Sequence, residues 1–167
     1  MSAPVAKDVL VLKLHLRSDP KMLCVIRAAV GEMASSVGFE ASQVRAIVLA
    51  VDEAMTNVIR HAYRGRFDRP IEVCFYRGQE KSGESILDSL EIRIVDQGEP
   101  VNLEELRGRS LDEIRPGGLG LHFIRETMDR VTFRHVRGRN YLRLIRFLTP
   151  AKDTHEGDAE CRLPRGD

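Results

Sequence analysis

The feature that most constrains the fold is a long apolar face that recurs at helical spacing after residue 41. Apolar side chains at i, i+3, i+4 and i+7 are typical of an amphipathic helix packed on a core. They are Val44, Ile47, Val48, Val51, Met55, Val58 and Ala62. This helix is expected to end near Arg64-Gly65. A similar pattern over residues 20–37 starts with Asp19-Pro20 and ends at Gly38. It predicts another helix, which lies immediately before this one in the chain.

Alternating apolar residues predict the strands that cover these helices. They are expected at 8–16, 70–77, 89–95, 131–136 and 140–148. A third helix is expected at 117–129, a polar turn at 78–85, and a long, charged, mobile segment at 99–116. The order β-α-α-β-β-α-β-β has too few β-α-β alternations for a doubly wound sheet. The sequence therefore predicts an α+β fold, a two-layer sandwich with helices on one face of a mixed, mainly antiparallel sheet.

Length and charge narrow the class of protein. At 167 residues the chain suits one domain, which we place at 1–149, with a charged and disordered tail at 150–167. The 26 basic and 25 acidic residues give a net charge of +1, so no nucleic acid or membrane partner is indicated. The cysteines Cys24, Cys74 and Cys161 are odd in number and far apart, so they support neither a disulfide framework nor a zinc site.

The N-terminus carries no targeting pattern. Its apolar run is interrupted by Lys7, Asp8, Lys13 and His15, and no small-residue cleavage site follows. No stretch approaches the roughly 20 apolar residues that a membrane span needs. We therefore expect a cytoplasmic protein.

Three fragments contain residues suited to chemistry. In EAMTNVIRHAY, at 53–63, Glu53, Asn57 and His61 are spaced by four residues and share one helical stripe. An amide oxygen can bind Mg²⁺, and a carboxylate one turn earlier can accept a proton. The alternative is a solvated helix face.

The second fragment is DQGEP, at the end of a predicted strand. Asp96 can accept a hydrogen bond from an exocyclic amine, and Gly98 would allow a flat ring to approach the backbone. The alternative is an ordinary Asp-x-Gly turn.

The third fragment is RPGGLGLHFIRE, where glycines lead into a helix. Exposed backbone N–H groups at a helix N-terminus can bind an anion such as a phosphate. The fragment is not a Walker A loop, since no G-K-[ST] follows. The alternative is a flexible loop before a capped helix.

In this order, the three fragments resemble the N box and the two glycine boxes of the GHKL ATP-binding superfamily. The match spans residues 10–148. The small size and the wording E-A-x-T-N-x-x-x-H-A-Y are similar to the bacterial anti-sigma-factor serine/threonine kinases. This resemblance implies the Bergerat-type ATP-binding fold, with ATP and Mg²⁺ as cofactors.

The resemblance also implies roles for individual residues. Glu53 would be the general base on a partner's hydroxyl, and Asn57 would bind Mg²⁺. Asp96 would accept a hydrogen bond from the adenine amine, with Gly98 beneath the ring. The phosphate-facing residues would be Gly118, Leu119, Gly120 and Leu121.

Two departures from the family's pattern are visible. Many members carry a Gly-Thr pair in a late strand, whose hydroxyl helps to hold adenine through water. The corresponding stretch here is GRNYLRL, without threonine. The lid between Asp96 and Gly117 is short and lacks an obvious lysine; Arg107, Arg109 or Arg115 could contact phosphate or be solvated. His61 could orient Glu53, line the pocket or serve the structure.

The implied function is that of a protein kinase. It would bind a sigma factor or an equivalent regulator and phosphorylate an anti-anti-sigma antagonist protein on Ser or Thr, and a homodimer is compatible with the resemblance. The alternative is an ATP-gated binding module with weak or no kinase activity. The catalytic piece of a histidine kinase and a gyrase- or Hsp90-like ATPase are further readings, but the former needs a phosphoaccepting helix and the latter need transducer domains.

Overall fold

The part of the chain that the structure describes folds as a five-stranded sheet with three helices on one face. The computed structural model describes residues 8–82, 85–100 and 119–149. The strands are β1 (Val9–Arg17), β2 (Pro70–Ser82), β3 (Ser85–Asp96), β4 (Arg130–Val136) and β5 (Arg139–Phe147). The helices are α1 (Leu23–Val37), α2 (Ala41–Asn57) and α3 (Leu119–Thr127), with a 3₁₀ turn at Pro20–Met22 and a π-helical segment at Val58–Ala62. Within these ranges the elements follow the predicted order.

The sheet has the strand order β1-β2-β3-β5-β4, and all four pairings are antiparallel. β2 and β3 form one hairpin and β4 and β5 another, whereas β1 and β2 are joined through α1 and α2. The crossover that contains α3 places β5 between β3 and β4. The resulting two-layer arrangement confirms the predicted α+β sandwich.

Local sequence explains where the first two helices begin and end. The Asp19 carboxylate accepts a hydrogen bond from Lys21 N–H at 2.9 Å at the entry to the first helix. Gly38, with φ of 109°, ends α1 in the left-handed region that glycine tolerates best. At the start of α2 the Glu40 N–H donates to Gln43 Oε1 at 3.0 Å.

The core lies between the helices and the inner face of the sheet. The predicted apolar face is confirmed: Ile47, Val51, Met55, Val58 and Ala62 are buried, and Val44 and Val48 pack at the core edge. Alternate residues of the central strands supply the other side, because successive strand side chains point to opposite faces. They include Val73, Phe75, Ile92, Ile94 and Leu144.

Two predicted turns differ from the structure. The polar turn expected at 78–85 is wrong over most of its length, since β2 and β3 pair as far as Ser82 and Ser85. The backbone N–H and C=O groups of the two strands pair with each other there, whatever the polarity of the side chains. The last hairpin is tighter than the turn that RGRN at 137–140 predicts. Arg137 and Gly138, with φ of 50° and 73°, form a two-residue turn, so Asn140 lies within β5.

Some predictions fall outside the described residues. These are the tail at 150–167, the greater part of the charged segment at 99–116, and Gly118. In the ranges that are described, no helix is long and apolar enough to cross a bilayer.

Candidate functional site

The predicted N-box residues lie at the C-terminal end of α2. Glu53 and Asn57 are half-buried and one helical turn apart, and Asn57 is the last residue of α2. The chain then widens into the π-helical segment, in which Tyr63 N–H donates to Val58 O at 2.9 Å. A π-helix has more than four residues per turn, so four-residue spacing no longer keeps His61 on the same stripe. His61 is exposed, and the stripe of three polar residues therefore reduces to Glu53 and Asn57.

Asp96 is the last residue of β3 and is only 5% exposed. Its Oδ1 atom accepts a hydrogen bond from Gly98 N–H at 2.8 Å, which forms the compact turn after the strand. Burial raises the pKa of the Asp96 carboxyl above its ordinary value, while hydrogen bonds from Asn140 and Gly98 and the nearby His135 act in the opposite direction.

The turn after β3 packs directly on the end of the N-box helix. A β-carbon at Gly98 would lie 2.6 Å from the carbonyl carbon and 2.7 Å from Cβ of Ala62, and closer still to the Ala62 oxygen. That oxygen also accepts a hydrogen bond from Glu99 N–H at 2.9 Å. Position 98 therefore requires glycine because backbone meets backbone there.

We expect Gly98→Ala to destabilise the protein by about 1–3 kcal/mol, since neither backbone segment can retreat without breaking hydrogen bonds. The matched control is Gly31→Ala in the interior of α1. A β-carbon there would meet Val48 Cγ2 at an ordinary 3.9 Å, so this change should leave stability unaltered or raise it by up to about 1 kcal/mol. Urea denaturation of both variants measures the difference. Equal stability of the two would contradict the close packing.

The start of α3 meets the same helix at another point. A β-carbon at Gly120 would lie 2.5 Å from Oε2 and 3.4 Å from Cδ of Glu53. The Glu53 carboxylate thus rests against the backbone of the second predicted glycine box. Leu119 is the first residue of α3, and Leu121 is half-buried in its first turn. The N-box helix therefore touches both glycine segments, through Ala62 and through Glu53.

Tyr63 connects these parts, and sequence reasoning missed it. Its ring is buried, and its hydroxyl donates to Pro70 O at 2.5 Å and accepts from Gln97 N–H at 2.8 Å. Burial raises the pKa of this phenol, so it stays protonated and able to donate. The phenol fixes the residue after Asp96 to the end of the N-box helix. The available signal was the position of Tyr63 at the end of the helical pattern, a few residues before the strand predicted at 70–77.

Asn140 is the second residue that sequence reasoning missed. It is opposite Asp96 in the β3–β5 pairing and opposite His135 in the β4–β5 pairing. Its amide nitrogen donates to Asp96 Oδ1 at 2.8 Å, and its amide oxygen lies 2.7 Å from His135 Nδ1. The available signal was the alternation of side chains along the strand. Asn140 lies on the same strand face as Leu142 and Leu144, which belong to or pack against the core, so a polar residue there is expected to be buried.

This arrangement offers groups that a ligand and a cation could use. Oδ2 of Asp96 accepts no hydrogen bond from any residue in the described ranges, so it is free to accept one from a ligand. Gly120 has no side chain of its own, and the Glu53 carboxylate lies against its backbone. Within those ranges no cluster of three or more His, Cys, Asp or Glu could hold a metal by itself. A cation bound at Asn57 would need ligands from water and phosphate, which is the usual habit of Mg²⁺.

A sheet with helices on one face, and one helix in contact with two glycine segments, agrees with the fold that the resemblance implies. The chain belongs to the histidine kinase-like ATPase domain family, which matches residues 16–146. This membership confirms the resemblance that the three boxes indicated.

Particular relatives carry a kinase name. The chain is 30% identical over 135 residues to the serine-protein kinase RsbW of Listeria innocua serovar 6a, across 76% of this chain and 81% of the relative. It is 23% identical over 141 residues to serine-protein kinase RsbW of Bacillus subtilis (strain 168), across 76% and 79%. The solved structure of the RsbU and RsbW domains of Rv1364c from Mycobacterium tuberculosis has a similar fold. Its TM-score is 0.55 at 19% identity, over 85% of this chain and 34% of that one.

Proposed function

We propose that this protein is an ATP-dependent serine/threonine protein kinase that acts as an anti-sigma factor or a similar partner-switching regulator. Its substrate would be an antagonist protein of the anti-anti-sigma type, and its other partner a sigma factor or an equivalent regulator. The carrying observation is the contact of Gly120 with the Glu53 carboxylate, with Asn57 one turn further along the same helix. The kinase names of relatives at 23–30% identity support the same reaction class.

The adenine end of the site would be formed by the turn after β3. Asp96 would accept a hydrogen bond from the exocyclic amine through Oδ2, and Gly98 would present flat backbone to the ring. Tyr63 and Asn140 hold this turn in place through Gln97 N–H and Asp96 Oδ1. Such preorganisation lowers the cost of ordering the site when a ligand binds.

The phosphate end would be formed by α2 and the start of α3. Gly118, Leu119, Gly120 and Leu121 would donate backbone N–H groups to phosphate oxygens, aided by the helix dipole of α3. Asn57 would hold Mg²⁺, and the ion when bound would neutralise charge on the phosphates.

Glu53 would act as the general base. Its carboxylate would accept the proton of a partner's Ser or Thr hydroxyl as the hydroxyl oxygen bonds to the γ-phosphorus. The bond from that phosphorus to the β–γ bridging oxygen breaks, and ADP leaves. Phosphoryl transfer depends mainly on positioning and charge neutralisation, so a base, a cation ligand and a backbone cradle are sufficient.

The direct test is transfer of radiolabelled γ-phosphate from Mg·ATP to candidate anti-anti-sigma proteins. Labelled Ser or Thr on a candidate, dependent on added Mg²⁺, is the expected result. Saturable ATP binding without label on any candidate would favour the second reading, an ATP-gated binding module, in which nucleotide shapes a partner surface and chemistry is weak or absent.

A further inference from the structure

The orientation of the Asn140 side chain is determined by its neighbours. Its amide nitrogen lies 2.8 Å from Asp96 Oδ1, 3.1 Å from Gly98 O and 3.2 Å from Glu99 O. All three are acceptors, so this end of the amide must be the NH₂ group. The amide oxygen then needs a donor at its other side, which His135 Nδ1–H supplies at 2.7 Å. His135 therefore donates to the Asn140 amide oxygen, and the Asn140 amide nitrogen donates to Asp96.

These hydrogen bonds divide the two oxygens of the Asp96 carboxylate. Oδ1 accepts from both Asn140 Nδ2 and Gly98 N–H, each at 2.8 Å. In the part of the chain that the structure describes, both hydrogen bonds to this carboxylate end on Oδ1 and none ends on Oδ2. A carboxylate that rotated freely about its Cβ–Cγ bond could exchange these oxygens or turn away. Two donors on one oxygen hold the group in a single orientation and leave a single acceptor for a ligand.

We propose that Asn140 is a positioning residue for base recognition, which holds Asp96 with Oδ2 toward the ligand and so sets a preference for 6-amino purines over 6-oxo purines. The inference rests on the proposed function, in which Asp96 reads the base of ATP. A 6-amino group donates a hydrogen bond to Oδ2. A 6-oxo group in the same place would set its own lone pairs against the carboxylate, which is an unfavourable contact.

Selectivity separates this role from a purely structural one. Asn140 is 1% exposed and also pins the carbonyls of Gly98 and Glu99, so its loss loosens the turn for every ligand. Loosening alone would weaken 6-amino and 6-oxo nucleotides by the same factor. Release of the Asp96 carboxylate would instead weaken binding of the 6-amino nucleotide more, because only that nucleotide gains from a fixed acceptor.

The test is a calorimetric titration of each protein with ATP and with inosine triphosphate, its 6-oxo counterpart, in the presence of Mg²⁺. Wild type should bind ATP more tightly. In Asn140→Leu, which has a similar volume but no donor, the ratio of the two affinities should fall by about tenfold or more. Asn140→Ala repeats the test without the branched leucine side chain. Asn140→Thr, which restores one donor, should recover part of the ratio of ATP affinity to inosine triphosphate affinity. Asn57→Ala is the control, since it should weaken both nucleotides equally.

Circular dichroism establishes that each variant is folded before its ratio is read. A folded Asn140→Leu or Asn140→Ala that binds ATP with the wild-type ratio would overturn this inference and leave the ATP site standing. A wild-type protein that binds neither nucleotide would overturn the proposed function and this inference together.

Discussion

Glu53→Gln should slow phosphoryl transfer by about 10²–10⁴-fold while ATP binding is retained. Glutamine has the size of glutamate, so the contact with Gly120 and the packing of α3 on α2 are preserved. It cannot accept the hydroxyl proton, however, and loss of a general base costs about 10²–10⁴-fold in rate. Single-turnover transfer to an unphosphorylated antagonist, with ATP affinity measured in parallel, gives both quantities.

The matched control for this variant is Glu32→Gln, the same change at an exposed position on α1. It should transfer phosphate at the wild-type rate. If Glu53→Gln also transferred at the wild-type rate, Glu53 would not be the base. If wild type regulated its partner without any transfer, and Glu53→Gln did the same, the binding-module reading would replace the kinase.

Asp96→Asn should remove most of the affinity for ATP without unfolding the protein. The asparagine oxygen can still accept from Asn140 and Gly98, so the internal hydrogen bonds survive. The position of Oδ2 is then taken by an NH₂ group, which meets the adenine amine donor to donor. We expect a loss of about 2–4 kcal/mol, roughly 30- to 1,000-fold in affinity. Asp68→Asn, in the exposed loop before β2, is the control and should bind normally.

The same variant should melt at a higher temperature than wild type at neutral pH. Burial raises the pKa of Asp96, so across the interval between its unfolded and native pKa values the native state binds more protons, and stability falls as pH rises. Asparagine carries no such charge. The higher melting temperature of Asp96→Asn relative to wild type should be fully present above the native pKa of Asp96. The difference should vanish as pH falls below the ordinary aspartate value near 3.9. Tyr63 and His135 also face this region, and both remain in the two proteins. An unchanged difference across the pH range would contradict the explanation.

Much of the fold could be predicted because its signals are local. The periodicity from Val44 to Ala62 placed α2 and its buried face, and Gly38 placed the end of α1. The alternation around Ile92 and Ile94 placed β3 and with it the position of Asp96. The polar turn predicted at 78–85 was wrong because a run of polar residues shows no apolar alternation. The backbone groups of such a run can still pair with the neighbouring strand.

The supporting residues of the candidate site could not be found this way. Asn140 meets Asp96 only through the register of two strands separated by 44 positions in the chain. Tyr63 directly follows the π-helical segment, and its hydroxyl meets Gln97 N–H across 34 positions of the chain, a separation that leaves no local signal. The stretch GRNYLRL lacks a threonine but contains Asn140, which donates to the Asp96 carboxylate from this strand. Glu53, Asn57, Asp96 and the glycines were visible because each lies inside a short pattern.

The measurement that tests the central claim most directly is a calorimetric titration of wild type and Asn57→Ala with ATP, each with Mg²⁺ and with EDTA. We expect saturable binding by wild type that is strengthened by Mg²⁺, and weaker binding by Asn57→Ala with little response to the ion. Wild-type affinity and Mg²⁺ response in Asn57→Ala would remove Asn57 as the metal ligand. Absence of binding in both proteins would contradict the nucleotide site itself.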